Sequence, residues 1–533
     1  MRTDVVLLYL TLIRFGASIP KDPPAINVVS LNYTRNYPAF MGNKADYGPL
    51  KKNKMDIQLL LISDRTLYIG ARNRVYSLNL DESHTDEIYY SGEECNNFIK
   101  VLLRRNEDTL FICGTNAFSP SCAHYQVDSL ELKGDYISGA GRCPHDRKDG
   151  NIALFADDNL YSGTVTDFQG SDPIIYRSLG DLPNLRTVKY DSRWLKEPHF
   201  VHAVDYGDYI YFFFGEISVE YYGVEKVILP RVARVCKDDR GGNQEFLEKE
   251  WTSFLKARLV CAFPADPPLF FNHLESVTDV VNVNGQDMVF AIFTTPKHSI
   301  PTSACCAFAL DDIDKVFTGR FKQQRTPVSL WTPVPDNEVP TPRPGSCAGS
   351  GSLEGYASST SIPSDTLAFS RTHTLMDESV KAVSRHPLFL RTPFMAEYAS
   401  VVKIAVDTAA GPNEDHTVLF IGSERGRLSK VLLRKEGSVL LEEMYIYNYQ
   451  TNKIIDMKVD KPNKVLYVAF AHCVIKVPLG GCERHGPCKK ACIRSRDPYC
   501  GWANEACIHL VPGIPVDYEQ DIEHGNTDGL EDC

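Results

Sequence analysis

Short apolar runs alternate with polar turns along most of this chain. Residues 66–80 are typical, with a β-rich run, a polar turn and then alternation with a period of two. The pattern occurs seven times, and the steps between successive copies are 43, 50, 50, 79, 130 and 47 residues. The anchors of the copies are Leu67, Leu110, Leu160, Ile210, Val289, Leu419 and Leu466. A period of roughly 40–50 residues is that of a four-stranded blade, so the pattern predicts an all-β, seven-bladed β-propeller.

The two long steps indicate insertions into the propeller. The longer one holds a Pro-rich section, a Ser/Gly section and a helical pattern at 365–383. Because structureless connections of this length are uncommon, we expect a compact extrusion at about 320–400 growing from blade five. Residues 251–259 also show helical spacing and are predicted to link blades four and five. In a closed propeller, a strand from the N-terminal region can complete the last blade, and such a strand would fit this chain.

Cysteines define a second module at the C-terminal end. The chain has 16 cysteines, which indicates an oxidising compartment, and six of them lie within 481–533. A module this small cannot bury enough apolar surface, so cross-links must stabilise it, and six cysteines allow fifteen pairings. We therefore predict a propeller at 19–480 followed by a disulfide-rich module. Within the propeller, Cys113 and Cys122 flank a Gly/Asn/Pro turn, which favours a disulfide-closed loop over a metal site.

The N-terminal region carries features of a secreted protein. Residues 1–18 have the basic start, apolar centre and small residues of a secretory signal, with a buried first strand as the alternative. Asn32 begins an Asn-Tyr-Thr sequon and is a predicted glycosylation site. No later stretch has the ~20 apolar residues of a membrane span, so we expect the chain as given to be soluble and extracellular.

Composition and motifs argue against several function classes. The net charge is −11 and no long Lys/Arg run is present, which disfavours nucleic-acid binding. Acid pairs lie in predicted turns, the histidines form no metal-ligand pattern, and no nucleophile elbow or phosphate loop occurs. A propeller glycosidase would need clustered acids at the central channel, and the sequence shows no such cluster. We predict a binding protein with no catalytic residues, no metal, no cofactor and no small-molecule substrate.

Several motifs together resemble the semaphorin family. CGTNAFSPSC at 113–122, KEPHF at 196–200, DYGDYIYFFF at 205–214 and WTSFLKARL at 251–259 are similar to the sema domain, as is RPG before Cys347. RDPYCGW at 496–502 resembles a plexin–semaphorin–integrin (PSI) module. DTAAGP at 407–412, CERHG at 482–486 and NTDGL at 526–530 are similar to class 6 members.

This resemblance implies a secreted or cell-surface guidance ligand, acting in axon guidance and cell migration. It would bind and activate plexin receptors, of the A class, as a homodimer. Class 6 semaphorins carry a transmembrane helix after the PSI module, which this sequence does not include. A receptor-type protein with the same two modules, or a non-functional shortened form, is the alternative.

The resemblance also implies the cysteine pairing and shows two departures. The implied pairs are Cys113–Cys122, Cys236–Cys347, Cys261–Cys306, Cys482–Cys500, Cys488–Cys533 and Cys492–Cys507. Shortened segments at 90–95 and 448–454 leave Cys95 and Cys473 without their implied partners, and Cys143 and Cys305 also have no implied partner. The first shortening predicts an incomplete or strained blade one. Gly215 stands where relatives usually have arginine.

By resemblance, plexin contacts fall on the outer edge of blades three and four. Tyr190 and Lys196 lie in that region of the sequence. Arg371 occupies an extrusion position where relatives carry lysine, and a solvated helix charge is the alternative. Ile300 matches a position near the homodimer surface, with packing inside blade five as the alternative.

Overall fold

The protein is described from a computed structural model. The described residues are 24–42, 55–81, 85–89, 96–221, 225–296, 298–326, 328–393, 399–435, 437–446 and 453–533. The predicted secretory signal, Cys95 and most of the second shortened segment lie outside these ranges.

Seven sheets form the blades of the propeller, each described from its innermost strand outward. Blade one contains Leu59–Ser63, Thr66–Ala71, Arg74–Asn79 and Thr85–Tyr89, and blade two contains Ile99–Asn106, Thr109–Gly114, Ser121–Gln126 and Leu132–Ser138. Blade three contains Ile152–Ala156, Asn159–Val165, Pro173–Ser178 and Leu185–Arg186. Blade four contains His199–Tyr206, Tyr209–Ile217, Ile228–Cys236, Leu255–Phe263 and Leu269–Phe271.

The remaining blades follow the same order. Blade five contains His273–Val277, Val281–Val283, Gln286–Thr294, Ser303–Ala309 and Phe389–Arg391. Blade six contains Val401–Ala410, His416–Ser423, Arg427–Leu433 and Ser438–Tyr445, with Asn27–Val29 added in parallel to the last of these. Blade seven contains Asp456–Asp460, Val465–Phe470, Cys473–Pro478 and Ala39–Phe40.

The predicted propeller is confirmed, and the seven anchors all lie in the second strand of a blade. These strands are almost wholly buried because both faces of each sheet contact a neighbouring blade. In the aromatic strand of blade four, Tyr211 and Phe213 join one core cluster while Phe212 and Phe214 join another. The alternation of side chains across a strand therefore fills two inter-blade cores at once.

An early strand closes the ring, as predicted. Ala39–Phe40 pairs antiparallel with Cys473–Pro478 and becomes the outermost strand of blade seven. Blade one has four strands, including Thr85–Tyr89. The expectation of an incomplete blade one is therefore wrong, because the shortened segment follows the fourth strand instead of removing it.

Two helix predictions are corrected by the structure. Residues 251–259 are not a helix, since Leu255–Phe263 is the fourth strand of blade four. Leu255, Ala257, Leu259 and Cys261 all enter one core cluster, which is the period of a strand. In the region 365–383, the helix ends at Thr372, and the chain then forms the strand Val380–Lys381, which pairs in parallel with Leu255–Phe263.

The insertion in blade five lies between its strands Ser303–Ala309 and Phe389–Arg391. It contains the helices Leu310–Phe317 and Ser364–Thr372 and the hairpin Lys322–Gln323 with Thr332–Pro333. It also contains the 3-10 turns Asp336–Glu338, Gly351–Leu353 and Ser359–Ser361. Elsewhere, the helical segments within the described ranges are Leu31–Thr34, Asn116–Phe118, Cys482–His485 and Lys489–Arg494.

The PSI module is a small hairpin, Cys500–Ala503 with Ala506–His509, beside the helix Lys489–Arg494. Three of the disulfides lie in this module and three lie in the propeller. They are Cys113–Cys122, Cys236–Cys347, Cys261–Cys306, Cys482–Cys500, Cys488–Cys533 and Cys492–Cys507, the pairs that the family resemblance implies. Cys143, Cys305 and Cys473 are free and buried. Burial raises the pKa of Cys143 and of Cys473 to about 12, so these thiols stay protonated and unreactive.

Buried charges join the PSI module to blade six. The Lys430 ammonium of blade six lies 2.7 Å from the Asp497 carboxylate of the module, and both side chains are fully buried. His485 Nε2 lies 3.3 Å from the same carboxylate. The Tyr499 hydroxyl donates to Asp407 of blade six at 2.6 Å. Burial opposes ionisation of Asp497, but the charges and hydrogen bonds of Lys430 and His485 together outweigh it and hold the pKa of Asp497 below its usual range.

A second set of contacts connects the module to the N-terminal segment. The Arg484 guanidinium donates to Glu442 of blade six at 2.9 Å and to the Tyr37 hydroxyl at 2.5 Å. The Tyr33 hydroxyl donates to Glu483. The PSI module thus contacts blade six and the segment that leads to the closing strand of blade seven.

Candidate functional site

The loop 187–198 connects blade three to blade four and is held against the extrusion. Trp194 of this loop is buried, and its ring stacks on Phe254 with centroids 4.8 Å apart. The Trp194 indole N–H donates to the Arg371 carbonyl at 3.0 Å. The loop and the helix Ser364–Thr372 therefore form one continuous surface at the edge of blades three and four.

A charged turn gives the loop its shape. Arg193 Nε donates to the Asp191 carboxylate at 2.9 Å, and the Thr374 hydroxyl donates to the Arg193 carbonyl at 2.6 Å. Burial alone would raise the pKa of Asp191, but the hydrogen bonds and charge of Arg193 hold it below its usual value. The turn leaves Tyr190 at φ 54°, with 74% of the residue exposed. A large aromatic side chain is thus presented to solvent on a fixed support.

The structure brings together the three residues assigned to partner binding by resemblance. Tyr190 and Lys196 lie in the loop 187–198, and the carbonyl of Arg371 accepts its tryptophan hydrogen bond. The Arg371 side chain is 43% exposed and lies 3.5 Å from the Glu250 carboxylate. We refer to Tyr190, Lys196 and Arg371 with the loop 187–198 as the edge surface. It offers an aromatic ring and two cationic side chains.

A buried ion network lies beneath the edge surface. Glu216 Oε2 accepts from the backbone N–H of Lys196 at 3.2 Å, so the network touches the loop directly. Its other oxygen accepts from Arg231 Nε at 2.9 Å and from Lys256 Nζ at 2.6 Å. All three of these charged side chains have no exposure to solvent. The loop therefore packs on a group of charged side chains that have no access to solvent.

Glu220 supplies the second negative charge of this network. Its carboxylate accepts from Arg231 Nη2 at 2.6 Å. Burial raises the pKa of Glu220, but the charge and hydrogen bond of Arg231 outweigh it and bring the pKa to about 2. Two carboxylates thus balance one guanidinium and one ammonium inside blade four.

Sequence analysis missed this network. A signal was available, since Glu216 interrupts an otherwise apolar strand and Lys256 lies in a strand whose other residues, apart from Arg258, are apolar. A charge inside a buried strand implies a partner, because an unpaired buried charge is costly. The sequence alone does not identify that partner, since Glu216 and Lys256 are 40 residues apart.

A cavity of about 330 Å³ adjoins the edge surface. It is bounded by the loop, by the end of the second strand of blade four with the connection that follows it, and by the extrusion. Lys196, Tyr221, Lys226 and Trp331 are among its lining residues. It gives the surface a concave part beside the exposed Tyr190 ring.

Gly215 lies on the strand that carries Glu216. A Cβ atom built there would meet only Ile228 Cγ2, at the ordinary contact distance of 3.5 Å. The position therefore has room for the first atom of a larger side chain, including the arginine that the family resemblance places there.

Ile300 and Asn32 lie in other parts of the molecule. Ile300 belongs to the loop between the blade-five strands Gln286–Thr294 and Ser303–Ala309, and it is 49% exposed. The Thr295 hydroxyl donates to the Ile300 carbonyl at 2.7 Å and fixes the loop. Half exposure favours a surface role for Ile300 over packing inside the blade. Asn32 lies in the short helix Leu31–Thr34.

The central channel of the propeller contains carboxylates that sequence analysis did not place there. They are Asp149, Glu275, Asp279 and Asp456. They come from blades three, five and seven, so these acids are distributed around the channel wall. These residues lie on or beside the innermost strands, and charged positions within those strands are the pattern that would have found them.

Comparison with known proteins supports the same two modules. The Sema domain family matches residues 274–461, and the Plexin repeat family matches residues 481–533. Semaphorin-6A of Homo sapiens is 55% identical over 100% of this chain, which covers 55% of that protein. The chain spans about half the length of the curated relatives it matches.

Solved structures agree over both modules. Drosophila Semaphorin 1a, extracellular domains 1-2, matches with a TM-score of 0.79 and 33% identity over 90% of this chain and 98% of that one. A chain in the structure of Drosophila Plexin A in complex with Semaphorin 1b matches with a TM-score of 0.78 and 29% identity. That match covers 95% of this chain and 98% of the other.

The fold is that of a sema-domain propeller joined to a PSI module, the arrangement that also matches the solved extracellular domains of Drosophila Semaphorin 1a. The chain belongs to the semaphorin family, and its similarity to Semaphorin-6A identifies it with class 6. Among the described helices, none reaches the length and apolar character of a membrane-spanning segment.

Proposed function

We propose that this chain is the receptor-binding part of a semaphorin guidance ligand that acts outside the cell on plexin receptors. The observation that carries the proposal is the full-length match to a chain in the structure of Drosophila Plexin A in complex with Semaphorin 1b. On this proposal the protein acts by binding and not by catalysis, and its receptor belongs to the A class.

The edge surface is the proposed plexin contact. Tyr190 offers a rigid aromatic side chain of the type that dominates binding energy at interfaces, and Lys196 and Arg371 add positive charge beside it. The support beneath them is ordered by the Trp194 stack and by the Glu216 hydrogen bond to the loop. Such preorganisation reduces the entropy lost on binding.

Ile300 is the proposed centre of a homodimer contact. A twofold dimer uses the same patch on both subunits, and an exposed apolar residue on a fixed loop suits such a self-complementary contact. Two linked propellers would engage two receptors, which raises the effective concentration of the second site. In the same proposal, residues 1–18 direct secretion and Asn32 carries an N-glycan.

The test is binding of the purified chain to immobilised plexin-A ectodomain, with its mass in solution measured on the same sample. We expect saturable binding by a dimer. Tyr190→Ala should lose about 2 kcal/mol, which weakens the Kd about 30-fold, and Arg371→Ala should lose less because its charge is already shared with Glu250. Tyr136→Ala is the matched control, since Tyr136 is 58% exposed on the outer strand of blade two.

Ile300→Asp separates the two parts of the proposal. It should give a monomer whose edge surface still binds, with the loss of affinity that follows from single-site attachment. A folded wild-type chain that does not bind, or equal affinities for wild type and Tyr190→Ala, would contradict the proposed receptor surface.

A further inference from the structure

A hairpin in the extrusion ends in an exposed apolar tip. Its strands Lys322–Gln323 and Thr332–Pro333 pair antiparallel, and the loop between them includes residues 328–330, which we call the hairpin tip. Val328 is 92% exposed and Leu330 is 78% exposed. Within the described ranges, these are the two most exposed of the large apolar residues. The tip therefore presents two aliphatic side chains to solvent.

The base of this hairpin belongs to the core of the propeller. Phe321 and Val334, which flank the two strands, are buried in the core cluster that blades four and five share. The Val334 N–H donates to the Phe321 carbonyl at 2.8 Å. Next to the base, Arg325 Nη2 lies 2.7 Å from the Glu338 carboxylate. The hairpin is therefore fixed to the propeller at the end opposite its tip.

Hydrogen bonds hold the hairpin tip in a defined turn. The Thr326 N–H donates to the Ser329 hydroxyl at 2.9 Å, and the Ser329 N–H donates to the Thr326 carbonyl at 3.0 Å. The Gln324 side-chain amide donates to the Ser329 carbonyl at 2.9 Å. The polar groups of the turn thus pair with one another, while its two aliphatic side chains stay in contact with solvent. An ordered tip of this kind loses little conformational entropy when a partner covers it.

The hairpin tip lies beside the edge surface. Gln324 and Trp331, at the two ends of the loop that carries the tip, line the cavity of about 330 Å³ described above. Lys196 of the edge surface lines the same cavity. Tyr221 of blade four, which is 54% exposed, lines it as well. The tip and the edge surface are therefore two borders of one cavity.

Exposed apolar side chains are concentrated around this cavity. Tyr190 of the edge surface is 74% exposed, the next highest value after Val328 and Leu330 among the described large apolar residues. Single exposed apolar residues are normal on a protein surface, whereas a group of them around one concave region marks an interaction site. Because the tip, the cavity and the edge surface are continuous, one partner can cover all three.

We propose that the hairpin tip is a second contact for the plexin receptor, in which Val328 and Leu330 pack into an apolar recess of the receptor segment that covers the cavity. This inference rests on the proposed function, because it takes the edge surface as part of the receptor contact. The edge surface offers one aromatic ring and two cations, which orient a partner through charge. The tip adds aliphatic area on the other border of the cavity, and burial of that area strengthens the complex.

The test is binding of the full chain to immobilised plexin-A ectodomain by wild type and by the double variant Val328→Ser/Leu330→Ser. We expect the double variant to weaken the Kd about tenfold, because two aliphatic side chains no longer leave water on binding. Leu330→Met keeps the apolar surface and should bind like wild type. Val511→Ser is the matched control, since Val511 is an exposed aliphatic residue of the PSI module. All three variants should unfold at the temperature of wild type, because each changes an exposed side chain.

Tyr190→Ala, measured in the same series, separates this inference from the proposed function. Binding that is weakened by Tyr190→Ala but unchanged in the double variant would overturn the inference and leave the proposed function standing. A folded wild-type chain that does not bind plexin-A would overturn both. The mass in solution is measured on every sample. If the double variant is a monomer while wild type is a dimer, the partner of the tip is a second copy of this chain, which would also overturn the proposed receptor contact.

Discussion

Blade four and the PSI junction bury similar charges in different settings. In blade four, Glu216 bonds Arg231 and Lys256, and all three belong to one sheet. At the junction, Lys430 belongs to blade six and its partner Asp497 to the PSI module. The first network stiffens a single blade beneath an exposed loop, whereas the second connects two modules that differ in size and fold.

The effect of a buried ion pair depends on which parts of the molecule it joins. Replacing a whole buried pair with apolar groups is often neutral, whereas removing one partner leaves an uncompensated charge and is costly. We infer that these pairs specify geometry more than they add stability. In blade four the geometry is that of the edge surface, and at the junction it is the angle between module and propeller.

The largest expected effect comes from Asp497→Ala. The substitution leaves the Lys430 ammonium buried without its carboxylate and also removes the partner of His485. We expect a loss of about 3–5 kcal/mol in the free energy of unfolding, measured by denaturant titration. Asp517→Ala is the control, since Asp517 is exposed in the same module. Equal unfolding curves for wild type and Asp497→Ala would show that the junction charges are not needed.

A smaller effect is expected from Glu216→Gln. The amide keeps the side-chain shape but has one acceptor oxygen, so it cannot accept both from the Lys196 N–H and from the two cations. Glu220 still pairs with Arg231. We expect a loss of about 3 kcal/mol, near the lower end of the range for a broken buried pair. Plexin binding should weaken as well, because the loop 187–198 loses part of its support.

The free energy of unfolding and the affinity for plexin, measured for the same variants, test the contrast between the two networks. Glu131→Gln, at an exposed position of blade two, should change neither stability nor binding. Loss of stability with unchanged receptor affinity in Glu216→Gln would mean that the network does not position the edge surface. A similar loss of affinity in Asp497→Ala would remove the proposed distinction between the two regions.

The smallest effect on stability is expected at Gly215. Gly215→Ala should raise the free energy of unfolding by about 0.5–1 kcal/mol, because glycine inside a strand has a larger entropy cost on folding. Gly215→Arg should fold as well as wild type, since only Ile228 Cγ2 lies within ordinary contact of the new Cβ. It should strengthen plexin binding by restoring the positive charge of the relatives, whereas Gly215→Ala should not. Weaker binding by Gly215→Arg would contradict that expectation.

The seven blades were predictable because the second strand of each blade is buried on both faces and recurs every 43–50 residues, except at the two steps of 79 and 130 residues that hold insertions. Residues 251–259 were misassigned for a physical reason that the local pattern does not contain. Lys256 looks like a solvent-facing residue, yet it is buried because Glu216 neutralises it from another strand. A charged residue at a buried strand position interrupts the alternation of apolar and polar residues by which a strand is recognised.

The edge surface was only partly predictable for the same reason. Resemblance placed Tyr190 and Lys196 at the edge of blades three and four, and it assigned Arg371 to the extrusion. The contact that joins them runs from Trp194 to Arg371, 177 residues apart, and no sequence spacing predicts it. The channel carboxylates were missed because they come from three different blades, and they line one space only when the ring closes.

Ring closure also has a mechanical consequence. Arg484 of the PSI module donates a hydrogen bond to Tyr37. Tyr37 lies two residues before the strand Ala39–Phe40, which closes blade seven. A pulling force on the PSI module therefore acts on the closing strand of blade seven as well as on blade six. Detachment of the PSI module and opening of the propeller ring then become one cooperative event. The closing strand of blade seven separates only when the contacts between the module and the propeller break.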